Sequence, residues 1–422
     1  MNFLSREQNF VCTIEDAVNH NLCMGCGICK SVCPNNAIII ELNHGEYRPK
    51  IDRLRCLGKN CSRCLKVCPG IGINFNSVTI DVFDNNLKVN SFIGKYYNLY
   101  SGFSCDKEIR YHSASGGMVT TFLIFLLDKK IIDGAVVTRY ADDKITPLPF
   151  IAKTRKELID ARSSKYCPVS MENVRTLLSD VTGKYVLVGL PCHIQAFRKL
   201  AKIDRKFSEK VIGMFSIYCS SNRSFYARDY IFKTYNVKKS EISYFAFRDN
   251  GCLGNLSIDT GKNYKVSIPF TQYYSQLRSF FKPHRCLTCI DHYGELADIS
   301  FGDIHIKPYS EDHIGVSSFI VRSSYWDDLI RQANSDGYIT MNSLTPEILN
   351  SSQAEMLYSK KRKAKAVMNM DILLGRSIPN YDKELETPTL TDYIKGIVCH
   401  IQRYIGRKPK LWFIIKFLNN SK

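Results

Sequence analysis

A chain of 422 residues is too long for one average domain, and with 45% hydrophobic and 12% aromatic residues it is not the composition of a disordered protein. A mean hydropathy of -0.18 and the lack of any apolar run of spanning length argue against an integral membrane protein. The net charge of +18 invites a nucleic-acid or anionic-membrane reading. Residues 351–422 alone supply +8 of it, however, so charge by itself is weak evidence for either partner.

The first residues, MNFLSREQNFVCTIEDAV, place charges where a signal peptide needs an apolar stretch, so a cytoplasmic location is expected. In that compartment the seventeen cysteines stay reduced, which favours metal ligation over a disulfide framework. Two runs dominate residues 1–90. Cys23, Cys26, Cys29 and Cys33-Pro34 are followed by Cys56, Cys61, Cys64 and Cys68-Pro69, and the last three cysteines of the first run recur 35 residues later. Three cysteines two or three residues apart wrap a tight loop around one corner of a cubane, and the fourth thiolate must come from elsewhere. The alternative for paired C-x-x-C units is structural zinc, which needs neither the third cysteine nor the Cys-Pro. The repeat resembles a bacterial dicluster ferredoxin. That resemblance implies exchange of the last cysteine of each run: Cys23, Cys26, Cys29 and Cys68 for one cluster, and Cys56, Cys61, Cys64 and Cys33 for the other. Cys56 departs from the pattern, because the position 35 after Cys23 is Gly58. Arg53, Arg55, Lys59, Arg63 and Lys66 are suited either to steering an acidic ferredoxin or to offsetting cluster charge.

Residues 91–345 alternate apolar strands with amphipathic helices, as a larger α/β domain with a mainly parallel or mixed sheet does. The fold class is therefore an α+β ferredoxin-like module followed by this domain. The run 118–127 reads as a buried helix. Tyr185 to Gly189 reads as a strand leading through Pro191 into a helix with Cys192 at its N-terminus, and Val211 to Cys219 as a second strand ending in cysteine. Cys286 and Cys289 add a short chelate. From spacing alone, Cys192, Cys219, Cys286 and Cys289 fit a third [4Fe-4S] cluster, a zinc site, or small buried side chains equally. Cys12, Cys105, Cys167, Cys252 and Cys399 lack a partner at ligand spacing and are expected mostly to fill the core.

Several segments then occur in order: Arg110 to Gly117, Ser164-Lys165-Tyr166, Gly189 to Cys192, the strand ending in Cys219, Phe247-Arg248 with Gly251, Cys286-x-x-Cys289, and Ala297-Asp298 to Gly302-Asp303. Together they resemble the coenzyme F420 hydrogenase/dehydrogenase beta-subunit family. The resemblance implies a third cluster on Cys192, Cys219, Cys286 and Cys289, a bound FAD, and a hydride acceptor such as F420 or another reducible small molecule. For the flavin, Ser113, Ser115, Gly116 and Gly117 form a small-residue loop at a helix N-terminus, suited to a pyrophosphate and equally to an ordinary turn. Ser164, Lys165, Tyr166, His193 and Asp303 complete the candidate cofactor residues, each with a bland alternative: a solvated lysine, a half-buried tyrosine, a capping histidine, a turn.

Residues 346–422 form a basic, helical tail, with fourteen basic against six acidic residues from 351 onward. Ser359 to Lys365 reads as a solvated basic face. The end of the tail fits either a helix docked on the core or a peripheral contact with an anionic membrane. The expected function is an oxidoreductase receiving electrons from ferredoxin and delivering them through FAD. The competing readings are an electron-transfer subunit without its own substrate and, less in keeping with the cysteines, a zinc protein binding nucleic acid.

Overall fold

A computed structural model describes residues 11–261 and 264–420. The N-terminal module, up to the helix Phe75–Val82, is built from short helices following the cysteine loops and a hairpin of Ile38–Asn43 with Glu46–Ile51. Asn43 and Glu46 close that hairpin around Gly45, whose φ of +73° suits the two-residue turn.

The larger part contains one eight-stranded mixed sheet: β1 (Asn98–Ser104), β2 (Gly134–Tyr140), β3 (Pro147–Ala152), β4 (Tyr185–Gly189), β5 (Val211–Ile217), β6 (Ile299–Asp303), β7 (Ser317–Val321) and β8 (Ile339–Ser343). Their order is β8-β1-β7-β6-β5-β4-β2-β3. The four central strands, β6, β5, β4 and β2, run parallel, and the outer ones pair antiparallel. The run 118–127 forms α1 (Met118–Asp128), which buries Phe122 and Phe125 against Phe215, Phe301 and Trp326. The segment after β4 forms α2 (Pro191–Ala201), with proline in the first turn where its missing N–H costs nothing.

The cysteine-rich module is not tethered by a linker. A single hydrophobic cluster joins its Ile28, Val67, Ile73 and Phe75 to Leu187, Ile194 and Phe197 of the large domain and to Ala364 and Met368 near the C-terminus. Met171 N–H donates to the Cys26 carbonyl at 2.8 Å, and Phe225 N–H donates to the Gly45 carbonyl at 2.8 Å. The tail closes the other side. Asn380 and Tyr381 pair in parallel with Gly72 and Ile73, and both carboxylate oxygens of Asp382 accept from the first N–H groups of the helix Phe75–Val82, at 2.7 Å each. Ser359–Lys365, expected as a solvated basic face, instead begins with a π-helical turn that leaves Lys360 3% and Lys361 7% exposed. The extra residue in that turn redirects both lysines inward.

Gly72 has φ +112°, and a Cβ there would overlap the backbone of Asn380. Gly72→Ala is therefore expected to cost about 1–3 kcal/mol. It should lower the midpoint of thermal unfolding and increase proteolytic cleavage around residue 380.

Candidate iron-sulfur and cofactor site

The structure brings the four cysteines of the first candidate set together. Cys23, Cys26, Cys29 and Cys68 line one cavity together with Ile14, Tyr47 and Val67. Burial pushes the thiols of Cys26, Cys29 and Cys68 upward, and their mutual repulsion adds to it. Cys33, Cys61 and Cys64 form the second group: burial raises Cys64, and the charges of Cys61 and Cys33 raise it further. Cys56 lies half-buried in a neighbouring loop, held by Gly58 N–H to its Sγ at 3.4 Å, and Asn35 Nδ2 ties that loop to the Cys33 loop through the Arg55 carbonyl at 3.0 Å.

The third set comes from three separate segments. Cys192 and Cys219 follow the C-terminal ends of the adjacent parallel strands β4 and β5, the edge at which such sheets bind ligands. Cys286 and Cys289 come from the loop ahead of β6, and Cys219 N–H reaches that loop at the His292 carbonyl, 2.9 Å away. Burial raises the Cys192 thiol, and Cys219, Cys286 and Cys289 raise it further by charge; Cys219 is pushed up to about 12 in the same way. Four thiols so close together, Cys289 buried and the other three half-buried, ionise together only around a cation, so this donor set suits an iron-sulfur cluster or zinc. Cys26 also acts on Cys192, which makes the first and third sets neighbours.

Three cations serve these sulfurs. Arg285, fully buried, donates to the Gly70 carbonyl at 2.9 Å and to Tyr381 Oη at 2.6 Å, joining the Cys286 loop to the Cys68 loop. Lys199 Nζ donates to the carbonyls of Cys68 and Gly72, each at 2.6 Å. Burial opposes the charge on Lys360, but Cys289, Cys219 and Cys286 outweigh it, and the ammonium, hydrogen-bonded to Cys289, stays protonated. Nothing in the sequence marks Lys360, because a run of Lys-Lys-Arg-Lys reads as surface.

The candidate cofactor residues fall into one group and one exception. Four loops meet around Arg248: Ser163 Oγ donates to its carbonyl, its Nη1 donates to Asp303 Oδ2 at 2.6 Å, and its Nη2 lies 4.0 Å from Cys252 Sγ. Gly315 sits where a Cβ would press on both Cys252 and Ser115. Ser115 Oγ donates to the Val316 carbonyl at 2.9 Å, Gly116 N–H to Ser317 Oγ at 3.0 Å, and Ser113 Oγ to the Ile109 carbonyl at 2.6 Å. Gly117, at φ +75°, caps α1 without a side chain and leaves the helix N-terminus uncovered by any capping group.

Lys165 is not solvated. Its Nζ donates to the carbonyls of Ala161, Arg162 and Ser163, and burial pulls its pKa down to about 7. Tyr166 packs among Phe247, Phe270 and Tyr274, and Ser164 is half-buried beside them. His193 is the exception. It is buried at the start of α2, its Nδ1 accepts from Leu190 N–H, and burial lowers its pKa to about 4, which is the capping role.

Between this group and the third cysteine set lies Arg223, which sequence reasoning passed over. It is 3% exposed, donates to Ser221 Oγ, stacks over Tyr274 at 4.7 Å, and makes no ion pair among the described residues. Its Nε has no hydrogen-bond partner among the described residues. The preceding Asn222 N–H lies 3.5 Å from Cys286 Sγ. Of the cysteines expected in the core, Cys167 and Cys399 are buried and Cys252 is half-buried beside Arg248, whereas Cys12 and Cys105 are exposed, each in the short segment just ahead of a helix, Ile14–Asn19 and Lys107–Tyr111.

Comparison with known proteins agrees with this arrangement. Residues 99–175 match the family described as coenzyme F420 hydrogenase/dehydrogenase, beta subunit N-term, and residues 182–347 match its C terminus. The chain belongs to the coenzyme F420 hydrogenase/dehydrogenase beta-subunit family. Residues 22–70 match a 4Fe-4S dicluster domain. The coenzyme F420 hydrogenase subunit beta of Methanococcus voltae is 30% identical over 226 residues, covering 50% of this chain and 74% of that one. The corresponding subunit of Methanosarcina barkeri is 28% identical over 58% of this chain and 81% of that one.

The coenzyme F420-dependent sulfite reductase of Methanocaldococcus jannaschii is 24% identical over 75% of this chain, which spans only 46% of that longer protein. A chain of the F420-reducing [NiFe] hydrogenase complex from Methanosarcina barkeri superposes with a TM-score of 0.54 over 72% of this chain and 99% of that one, at 22% identity, which establishes the shared fold. This family member is thus an electron-transfer protein of the beta-subunit type with an iron-sulfur domain.

Cys68 shares its cavity with Cys23, Cys26 and Cys29, so the crossed ligation that the ferredoxin resemblance implies can be tested there. Cys68→Ser and Cys23→Ser are each expected to remove about four iron atoms and the same reduced-cluster signal in electron paramagnetic resonance, while Cys64→Ser removes a different one.

Proposed function

We propose that this chain is an iron-sulfur flavoprotein oxidoreductase that takes electrons singly from ferredoxin and delivers them in pairs to F420 or another reducible small molecule. The observation that carries this reading is the contact path from Cys286 through Asn222, Arg223, Tyr274 and Tyr166 to the Arg248–Asp303 pair. It ends at the loops that the family resemblance assigns to FAD. Bound there, FAD would collect two single electrons and release them as a hydride, chemistry that no side chain supplies.

The chain's own residues fit the flavin. No side chain caps the first N–H groups of α1, and Arg223 holds a buried positive charge, without a carboxylate partner among the described residues, beside an aromatic wall. Lys165 and the Arg248–Asp303 pair fix the loops around that wall. Cys192, Cys219, Cys286 and Cys289 hold the third cluster, and Cys23, Cys26, Cys29, Cys68 with Cys33, Cys56, Cys61 and Cys64 hold the two that receive electrons. Arg63 and Lys66 line a groove beside Cys33 that suits an acidic carrier, while Lys30 and Arg175, which also line it, pair with Glu172 and Asp204. Arg53 and Arg55 pair instead with Glu15 and Asp52. The side chain of Lys59 lies outside the described residues.

The names of the relatives support a second reading, in which the chain serves a separate catalytic subunit. Anaerobic purification separates the two. Twelve iron atoms with one FAD per chain, and reduction of F420 by the isolated protein with reduced ferredoxin, are expected under the first; the same cofactors without turnover would leave the second. Iron near eight with no flavin would overturn the first and reduce the chain to a ferredoxin module joined to a domain of other function, and zinc in a colourless protein would overturn both.

Lys360 gives a separate expectation. Replacing it with Met removes a positive charge from beside the third cluster and disfavours the reduced state. One of three midpoints in a redox titration followed by electron paramagnetic resonance should fall by on the order of 100 mV, and Lys360→Arg should restore it.

A further inference from the structure

The helix Leu390–Gly406 is amphipathic with its faces reversed. The side turned to the protein consists of Asp392, Gly396, Cys399, Arg403 and Gly406, all buried and repeating at helical spacing. A Cβ on Gly406 would overlap the Phe280 carbonyl, and Gly396 lies against Met370 and Val367, so the helix backbone sits close on the domain. Asp392 anchors its first turn, accepting from Thr389 and Tyr358 and pairing with Arg362.

The side turned away carries Leu390, Ile394, Ile397, Ile401 and Tyr404, from 49% to 76% exposed. At about 100° per residue these five fall within an arc of roughly 80° and extend about 21 Å along the axis. An ordinary surface helix has the opposite distribution. Val398 and, beyond the Pro409 turn, Phe413 at 67% exposure add to the exposed apolar surface.

The charges around the stripe identify what covers it. Lys395, Arg407, Lys408, Lys410 and Lys416 are exposed, and the sole acid between 390 and 420, Asp392, is buried and paired. A second copy of the chain would bring five cations against five. A bilayer with anionic headgroups neutralises them while its acyl boundary takes up the apolar stripe. With no helix among the described residues long and apolar enough to cross a membrane, the helix would lie in the plane of the surface.

We propose that this face seats the protein on an anionic bilayer, with Ile394, Ile397 and Ile401 inserted at the headgroup level and Lys395, Lys408 and Lys410 paired with lipid phosphates. The inference stands on the outward face alone and does not depend on the redox reading.

The test is flotation of the anaerobically purified full chain with vesicles of phosphatidylcholine, with and without phosphatidylglycerol. The chain should float with the anionic vesicles, much less with phosphatidylcholine alone, and should be released by about 0.5 M salt. The double variant I394E/I401E, exposed at both sites, should keep the circular dichroism and brown absorbance of the parent and lose bound fraction at least about tenfold, and K408E/K410E should lose about tenfold on anionic vesicles. Failure of the parent chain to float with anionic vesicles, or equal flotation of I394E/I401E, would overturn the proposal. So would a dimer in light scattering that I394E/I401E splits, since the stripe would then belong to a second copy.

Discussion

Gathering sulfur ligands inside a protein confronts one electrostatic constraint: thiols removed from water resist ionisation, and a cluster held by thiolates brings net negative charge with it. Much of the architecture answers to this. The ligands of one set come from loops far apart in sequence, so the loops must be locked together before the donors are in place. Arg285 does this by bridging the Cys286 loop to the Pro69-Gly70 turn, and Lys199 does it from α2. Lys360 adds charge where Cys219, Cys286 and Cys289 meet. A cation that fastens a loop and offsets a cluster at once explains why these three side chains are buried or nearly so.

The sheet gathers the candidate residues. Strands β4, β5 and β6 are neighbours, and their C-terminal ends lead to Cys192, to Cys219 and to Asp303. Two cysteines of the third set and the acid that pairs with Arg248 therefore follow from consecutive positions along one sheet edge. The module with the first two cysteine sets is pressed against the same region through Met171 and the cluster around Val67 and Leu187. Neighbouring redox centres need this proximity, and a continuous core fixes it more firmly than a linker would.

What the sequence made legible was local. Ligand spacing identified the cysteine runs, the strand and helix around Cys192 announced themselves by an apolar run followed by proline, and α1 could be read from its apolar length. Pairing across the chain was not legible. Nothing in the periodicity of Asn380-Tyr381 says that it joins a strand 308 residues earlier. A solvated lysine was the bland alternative for Lys165 and the expectation for Lys360, because lysine usually is solvated; a ring of carbonyls holds one and a π-turn buries the other. Arg223 shows no motif, and its role emerges from what surrounds it. The matched family segments end at residue 347, so the part that supplies Lys360 and Asp382 lies beyond them.

The pairing of Gly72 with Asn380, together with the cap that Asp382 places on Phe75 and Asn76, also bears on biosynthesis. A ribosome releases the cysteine-rich segment first, and the residues that close over its second run follow some 308 positions behind the strand they join. The N-terminal module cannot complete its native surroundings until that later segment has emerged and folded back. In the interval the ligand loops lack this cover and stay accessible to whatever machinery delivers iron and sulfide.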